Sequence, residues 1–145
     1  MSEGTIAIAA DHAGFPLKEV LKAELEVHGL TVCDLGTDSD SSVDYPDFGR
    51  ALAEVVSGGD ATRGIIICGT GIGISIAANR VAGVRAALCH DATSARLARE
   101  HNDANILALG ARLIGPEVAL DCLRVFLTTS YAGGERHDRR VGKLG

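Results

Sequence analysis

Short aliphatic runs that alternate with amphipathic helical stretches predict an α/β fold, a parallel sheet packed between two layers of helices. The composition agrees. Of 145 residues 46% are hydrophobic, yet Trp is absent and there are only 2 Tyr and 3 Phe, so the core has to be aliphatic. Strands rich in Ile, Val, Leu and Ala, buried on both faces, are what a helix-covered parallel sheet requires.

The elements follow in order. Thr5–Ala10 (TIAIAA) reads as a fully buried strand. Pro16–His28 reads as a helix with Leu17, Val20, Leu21 and Leu25 on one face, Pro16 in its first turn and Gly29 at its exit. Thr31–Leu35 is a second strand, followed by a polar loop, Gly36–Tyr45. Pro46–Ser57 is helical, with Phe48, Leu52, Val55 and Val56 aligned, and Gly58-Gly59 ends it. Gly64–Cys68 is the third strand, Ile72–Val81 a helix, Val84–Cys89 the fourth strand and Ala92–His101 a helix. Asn105–Leu109 is the fifth strand and Pro116–Thr129 the last helix before a glycine-containing turn. The expected architecture is a three-layer α/β/α, Rossmann-like domain with about five parallel strands. Residues 1–145 read as one domain with a basic C-terminal tail, 135–145.

The formal net charge is -5, which argues against nucleic acid as the main partner. The charge is uneven. Residues 135–145 set Arg136, Arg139, Arg140 and Lys143 against Glu135 and Asp138, a local anion site rather than a nucleic-acid surface. No apolar run reaches membrane-spanning length and no targeting signal stands out, so a cytoplasmic protein is expected. Cys33, Cys68, Cys89 and Cys122 show no zinc spacing and sit in apolar runs, which predicts free, buried thiols in a reducing compartment.

Open parallel sheets bind ligands beyond the carboxyl ends of their strands. Asp11-His12 follows the first strand, Cys68-Gly69-Thr70-Gly71 the third, His90-Asp91 the fourth, and Gly110 with Arg112 the fifth. The strongest local signal is Cys68-Gly69-Thr70-Gly71-Ile72-Gly73-Ile74-Ser75 between a strand and a helix. Glycines let a ligand approach the backbone, helix-start N–H groups favour an anion, and a thiol there gains thiolate character. The bland alternative is a simple chain turn with Cys68 as a small core residue. No lysine follows the glycines, so the run is not a P-loop. Ile74 and Ile76 stand where a dinucleotide fingerprint needs its last glycine, although Asp91 lies at a ribose-contacting distance along the chain and keeps a nucleotide reading open. Asp11-His12 could be a solvated turn, His101-Asn102 a helix cap, Arg112 a surface charge, and the Arg136/His137/Arg140 group a solvated tail.

Taken together, these segments resemble the ribose-5-phosphate isomerase B family of sugar-phosphate isomerases. The matching features are Ala10-Asp11-His12-Ala13-Gly14, Asp44-Tyr45-Pro46, Gly64–Arg80 (GIIICGTGIGISIAANR) and Gly83-Val84-Arg85-Ala86. They continue through Glu100-His101-Asn102-Asp103, Gly110-Ala111-Arg112, Gly133-Gly134, Arg136-His137 and Arg140, in order from about residue 5 to residue 141. The resemblance implies Cys68 as the catalytic base and His101 as the acid/base that opens the sugar ring. Asp11, His12, Tyr45 and Asn102 match substrate contacts, and Gly69, Thr70, Gly71, Ile72 and Gly73 match the loop that stabilises a developing oxyanion. Arg112, Arg136 and Arg140 match phosphate binders. Some relatives replace the cysteine with a glutamate base in the following helix; here that position is Ile74, which places the chain in the cysteine branch. Glu135 is a departure, standing between Gly134 and Arg136 where relatives can run Gly-Gly-Arg-His.

The implied activity is interconversion of D-ribose 5-phosphate and D-ribulose 5-phosphate through an enediol(ate), with no metal and no organic cofactor. The implied partners are a phosphorylated sugar and a second copy of the chain, as a homodimer or a dimer of dimers with shared sites. Two rival readings stand beside it: a six-carbon substrate such as allose 6-phosphate or galactose 6-phosphate, and a non-catalytic phosphate- or nucleotide-binding module on the same fold.

Overall fold

The computed structural model describes residues 4–145. Its elements run β1 (Thr5–Ala10), α1 (Phe15–Val27), β2 (Thr31–Asp34), α2 (Tyr45–Ser57), β3 (Arg63–Cys68) and α3 (Ile72–Asn79). They continue with β4 (Ala86–Leu88), α4 (Ala92–Asn102), β5 (Ile106–Gly110), α5 (Pro116–Thr128) and α6 (Glu135–Leu144). The strands form one parallel sheet in the order β2-β1-β3-β5-β4.

Strand pleating divides the core in two, because successive side chains point to opposite faces. Ile65 and Ile67 of β3 join Leu21 and Leu25 of α1 and Leu123 and Phe126 of α5. Ile66 and Cys68 join Leu52 and Ala53 of α2 and Ile74 and Ala78 of α3. Helices α1, α4 and α5 therefore cover one face, and α2 and α3 the other. The face changes whenever the chain reverses direction across the sheet, as a constant crossover hand demands. Gly49 lets α2 lie directly on α3; a Cβ there would sit 2.9 Å from the carbonyl oxygen of Ile74. That contact brings the start of α2 beside the start of α3.

Three expectations need correction. The fourth strand is shorter than 84–89, covering only Ala86–Leu88 at the sheet edge. Its outward backbone groups are met by a side chain instead of a strand: Ala86 N–H donates to Asn79 Oδ1 (2.8 Å) and Asn79 Nδ2 donates to the Ala86 carbonyl (3.0 Å). The fourth helix runs one residue past the expected His101, so Asn102 also lies inside its last turn, and Asp103 in the left-handed region (φ 46) caps it. The basic tail is a helix, α6, reached through Gly133 and Gly134 at positive φ. Its acidic residues Glu135 and Asp138 sit in the first turn and Lys143 in the last, which suits the helix dipole.

Lys18 went unnoticed in the sequence. It is only 1% exposed, and its ammonium donates to Asp34 Oδ1 (2.9 Å) and Oδ2 (2.7 Å) and to Glu19 Oε1 (3.0 Å). Lys22 adds a 3.1 Å bond to the same carboxylate, which also accepts the Gly36 N–H at 2.9 Å. This network pins α1 to the end of β2 and fixes the departure of the following loop. Burial pushes the Asp34 carboxyl upward, but the bonds from Lys18, Gly36 and Lys22 outweigh it and hold it below its ordinary value. Asp34 therefore contributes stability that is fully present above the ordinary aspartate range and is lost as pH falls through its lowered value. Replacing it leaves the buried ammonium with Glu19 as its one carboxylate partner. Asp34→Ala should cost about 2–3 kcal/mol at pH 7 by denaturant unfolding, less than a fully broken buried pair because the carboxylate is partly wet and Glu19 still faces the ammonium. The gap from wild type should close as the titration is carried to acid.

Candidate active site

Strands β1 and β3 are neighbours, but the chain leaves them toward opposite faces of the sheet. A crevice opens at such a switch point, beyond the carboxyl ends of the strands. Here it is a cavity of about 510 Å³ lined by Asp11, His12 and Ala13 after β1, Tyr45 at the start of α2, and Arg112 after β5. The floor and remaining wall are Cys68, Gly69, Thr70, Ile72, Gly73 and Ile76 of the β3–α3 segment.

Cys68 ends β3 and is 4% exposed. Its Sγ accepts the N–H of Gly71 at 3.1 Å. Gly71 has φ 76, and a Cβ there would lie 2.5 Å from Leu88 Cδ1 and 2.9 Å from the Leu109 carbonyl oxygen, so only glycine makes this turn. Thr70 Oγ1 accepts the N–H of Ile72 at 3.2 Å, and the Ser75 N–H donates to the Gly71 carbonyl at 3.2 Å, starting α3. First-turn N–H groups such as those of Gly73 and Ile74 have no intrahelical acceptor and favour negative charge nearby. The Tyr45 ring packs against Gly73; a Cβ there would lie 2.5 Å from its Cζ.

The opposite wall is held as firmly. The Asp11 N–H donates to the Ile67 carbonyl at 3.1 Å, and Asp11 Oδ1 accepts the Gly14 N–H at 3.0 Å, capping the turn into α1. Asp11 is 6% exposed, so it is part of the scaffold as well as the wall. His12 Nδ1 accepts the N–H of Val43 at 3.1 Å, which leaves the ring proton on Nε2 and ties the 36–44 loop to the crevice. The Arg112 N–H donates to the Gly69 carbonyl at 2.9 Å, and its side chain runs along Gly69, 3.4 Å from where a Cβ would stand.

His101, Asn102, Arg136 and Arg140 do not reach this cavity within the chain. Helix α4 runs back from the carboxyl edge, so its last turn lies at the amino edge, where Arg99 donates to the carbonyl of Ala104 just before β5 (2.6 Å). The rings of His101 and His137 stack there with centroids 4.7 Å apart. Asn102 instead borders a separate hollow of about 390 Å³ beside β4, with Asn79, Arg85 and Leu144. Sequence reasoning missed the His12–Val43 bond and the wall residues Ala13 and Ile76. Only the helical spacing of Ile72 and Ile76 hinted at the latter. Among the described residues no cluster of three or more His, Cys, Asp or Glu is placed to share a metal ion, and no helix is long and apolar enough to cross a membrane.

The remaining cysteines differ from one another. Cys89 and Cys122 are buried in the α1/α5 face; burial pushes the Cys89 thiol up and carries Cys122 to about 12. Cys33, expected to be buried, is only partly so, because β2 is an edge strand. Iodoacetamide at pH 8 should label Cys68, which opens on the cavity, and Cys33, while Cys89 and Cys122 stay unmodified until the protein unfolds. Peptide mass mapping before and after denaturation checks this.

Comparison with known proteins adds a separate line. A family profile described as Ribose/Galactose Isomerase matches residues 6–144. The ribose-5-phosphate isomerase B of Escherichia coli is 48% identical over 136 residues, covering 94% of this chain and 91% of that one. The D-erythrulose-4-phosphate isomerase of Pectobacterium atrosepticum is 46% identical over 131 residues, covering 90% and 86%. Among solved structures, ribose-5-phosphate isomerase B of Clostridium thermocellum superposes with a TM-score of 0.96 at 53% identity, covering 97% of this chain and 95% of that one.

Proposed function

The chain belongs to the ribose/galactose isomerase family, and we propose that it interconverts D-ribose 5-phosphate and D-ribulose 5-phosphate with Cys68 as the base. The observation that carries this reading is the Cys68 sulfur at the floor of the switch-point cavity, bonded to the Gly71 N–H at 3.1 Å and set at a helix start. The Gly71 bond strengthens as negative charge develops on sulfur. The Cys68 thiolate removes the proton from C2 of the open-chain aldose. The electron pair forms the C1–C2 double bond, and the charge on O1 is met by N–H groups of the Gly69–Gly73 loop. The O2 proton passes to O1, and the thiol returns its proton to C1, giving the ketose. Asp11, His12, Tyr45 and Asn102 hold hydroxyls, while Arg112, Arg136 and Arg140 grip the phosphate at the non-reacting end.

Ribose 5-phosphate is mostly a furanose and must open first. His101 donates a proton to the ring oxygen and accepts one from the anomeric hydroxyl, a task suited to imidazole near neutral pH. A strand of five residues spans roughly 17 Å, so the amino-edge His101 and the carboxyl-edge Cys68 of one chain cannot both touch one sugar. A second copy supplies His101, Asn102, Arg136 and Arg140 to the first copy's cavity, as a homodimer or a dimer of dimers. Ile72 and Ile76, 49% and 52% exposed on α3 at the cavity rim, provide an apolar seam for that copy.

A turnover panel of five- and six-carbon aldose phosphates tests the reaction. Ribose 5-phosphate should be preferred, and Cys68→Ala should lower its kcat by about 10³ with the fold retained. Preferred turnover of allose 6-phosphate or galactose 6-phosphate would move the substrate to six carbons; phosphate binding without any turnover would leave only a binding module. Subunit sharing has its own test. Cys68→Ala and His101→Ala proteins, each deficient on ribose 5-phosphate, should recover turnover of that substrate once mixed and exchanged, because each heterodimer contains one complete site. Proven heterodimers without activity would exclude the arrangement.

A further inference from the structure

An imidazole at the end of a surface helix ordinarily has broad freedom about its outer torsion. His101 is such a residue, exposed in the last turn of α4. Its ring is nonetheless covered on one face by that of His137, with centroids 4.7 Å apart and planes within 12°. The covering ring is itself anchored. The Ala132 N–H donates to the carbonyl of Glu100 at 3.1 Å, tying the approach to α6 to the residue before His101. Tyr131 Oη donates to Asp138 Oδ1 at 2.7 Å, fixing the first turn of α6 from the other side. Arg136 Nη2 lies 3.4 Å from His137 Nε2, and since the guanidinium can only donate, that nitrogen is an acceptor.

We propose that His137 is a positioning residue for His101, a flat platform that fixes the plane of the His101 ring for furanose opening. This rests on the reading of His101 as the ring-opening acid/base. The charged groups around the platform are Arg136, Arg140 and Asp138 on α6 and His101 on α4. Burial, then Arg136, His101 and Arg140, hold the His137 imidazole below its ordinary value, against an opposing pull from Asp138. The platform thus stays uncharged near neutral pH and does not repel His101 when that ring takes up a proton. Both histidines belong to one chain, so the pair moves into a shared site as a preassembled unit. The pair also divides the labour of α6: the arginines act on phosphate, and the ring between them acts on its neighbour.

The chemistry supplies a selective test. D-ribulose 5-phosphate has no furanose to open, because its O5 carries the phosphate. A defect in ring opening therefore slows consumption of ribose 5-phosphate and spares consumption of ribulose 5-phosphate, whereas loss of fold or phosphate grip slows both. The full-length wild type is compared with His137→Ala, His137→Phe and His101→Ala, in both directions, with melting temperatures and inorganic phosphate affinity measured alongside. Expected are a loss of about 10-fold or more in kcat for ribose 5-phosphate in His137→Ala, ribulose 5-phosphate turnover within about 3-fold of wild type, and recovery in His137→Phe, which keeps a flat ring. Equal losses in both directions, or a His137→Phe protein as impaired as His137→Ala, would overturn the platform. So would a His137→Ala protein with normal forward turnover while His101→Ala is slow, and that result would leave the His101 assignment standing. If His101→Ala itself consumes ribose 5-phosphate normally, the ring-opening assignment falls and the platform with it.

Discussion

The turn from β3 into α3 is pressed so tightly against β5 that residue 71 has room for a hydrogen atom and nothing larger. The Leu109 carbonyl and Leu88 exclude a side chain there, the backbone takes a left-handed conformation open to glycine, and the Gly71 N–H meets the Cys68 sulfur. The other cavity features depend on it. Helix α3 starts where this turn releases it, Gly73 follows two residues later, and Tyr45 can pack this close only because that glycine has no side chain. Arg112 is drawn across the same segment by its bond to the Gly69 carbonyl. A steric constraint at one position thus becomes an electrostatic arrangement at several others.

The proposed functional groups fall into two sets with different mechanical character. Those of the cavity are tied to the sheet through backbone bonds, the Asp11 cap and the His12 ring, so their positions are inherited from the most buried part of the molecule. Those at the end of α4 and on α6 stand on exposed helical turns, held by a ring stack and a few polar contacts. Carbon acid chemistry tolerates little misplacement, and the proposed base, Cys68, is on the rigid side. The groups proposed to handle ring opening and a phosphate can accept some adjustment, since a ligand itself would help to order them.

How much could be read from the sequence follows from what is local. The strands and five helices were legible because each carries its own periodicity, and the glycine-rich turn because glycine spacing is a local signal. The family resemblance supplied the roles of single residues, which spacing alone did not. The helix at 135–144 was hidden because its outward charges dominate the pattern and no residue in it is buried. Lys18 was illegible for the opposite reason: a lysine on an amphipathic helix reads as solvated, and only the arrival of Asp34 from β2 makes its burial tolerable. The His12–Val43 bond joins residues 31 apart, beyond the reach of any motif. The edge position of β4 shortened it relative to its hydrophobic run, because one side of the strand has only the Asn79 amide to pair with.

The alternation along β3 also carries a reading-frame constraint. Ile66 and Cys68 point to the α2/α3 layer, while Ile65 and Ile67 point to the α1/α5 layer. A single inserted or deleted residue in that strand would turn the thiol into the wrong layer, even with every hydrophobic residue still present. The length of β3 is therefore counted in pairs. Drift in this segment can exchange one aliphatic side chain for another, but gaps of odd length are closed to any descendant that keeps its thiol at the crevice.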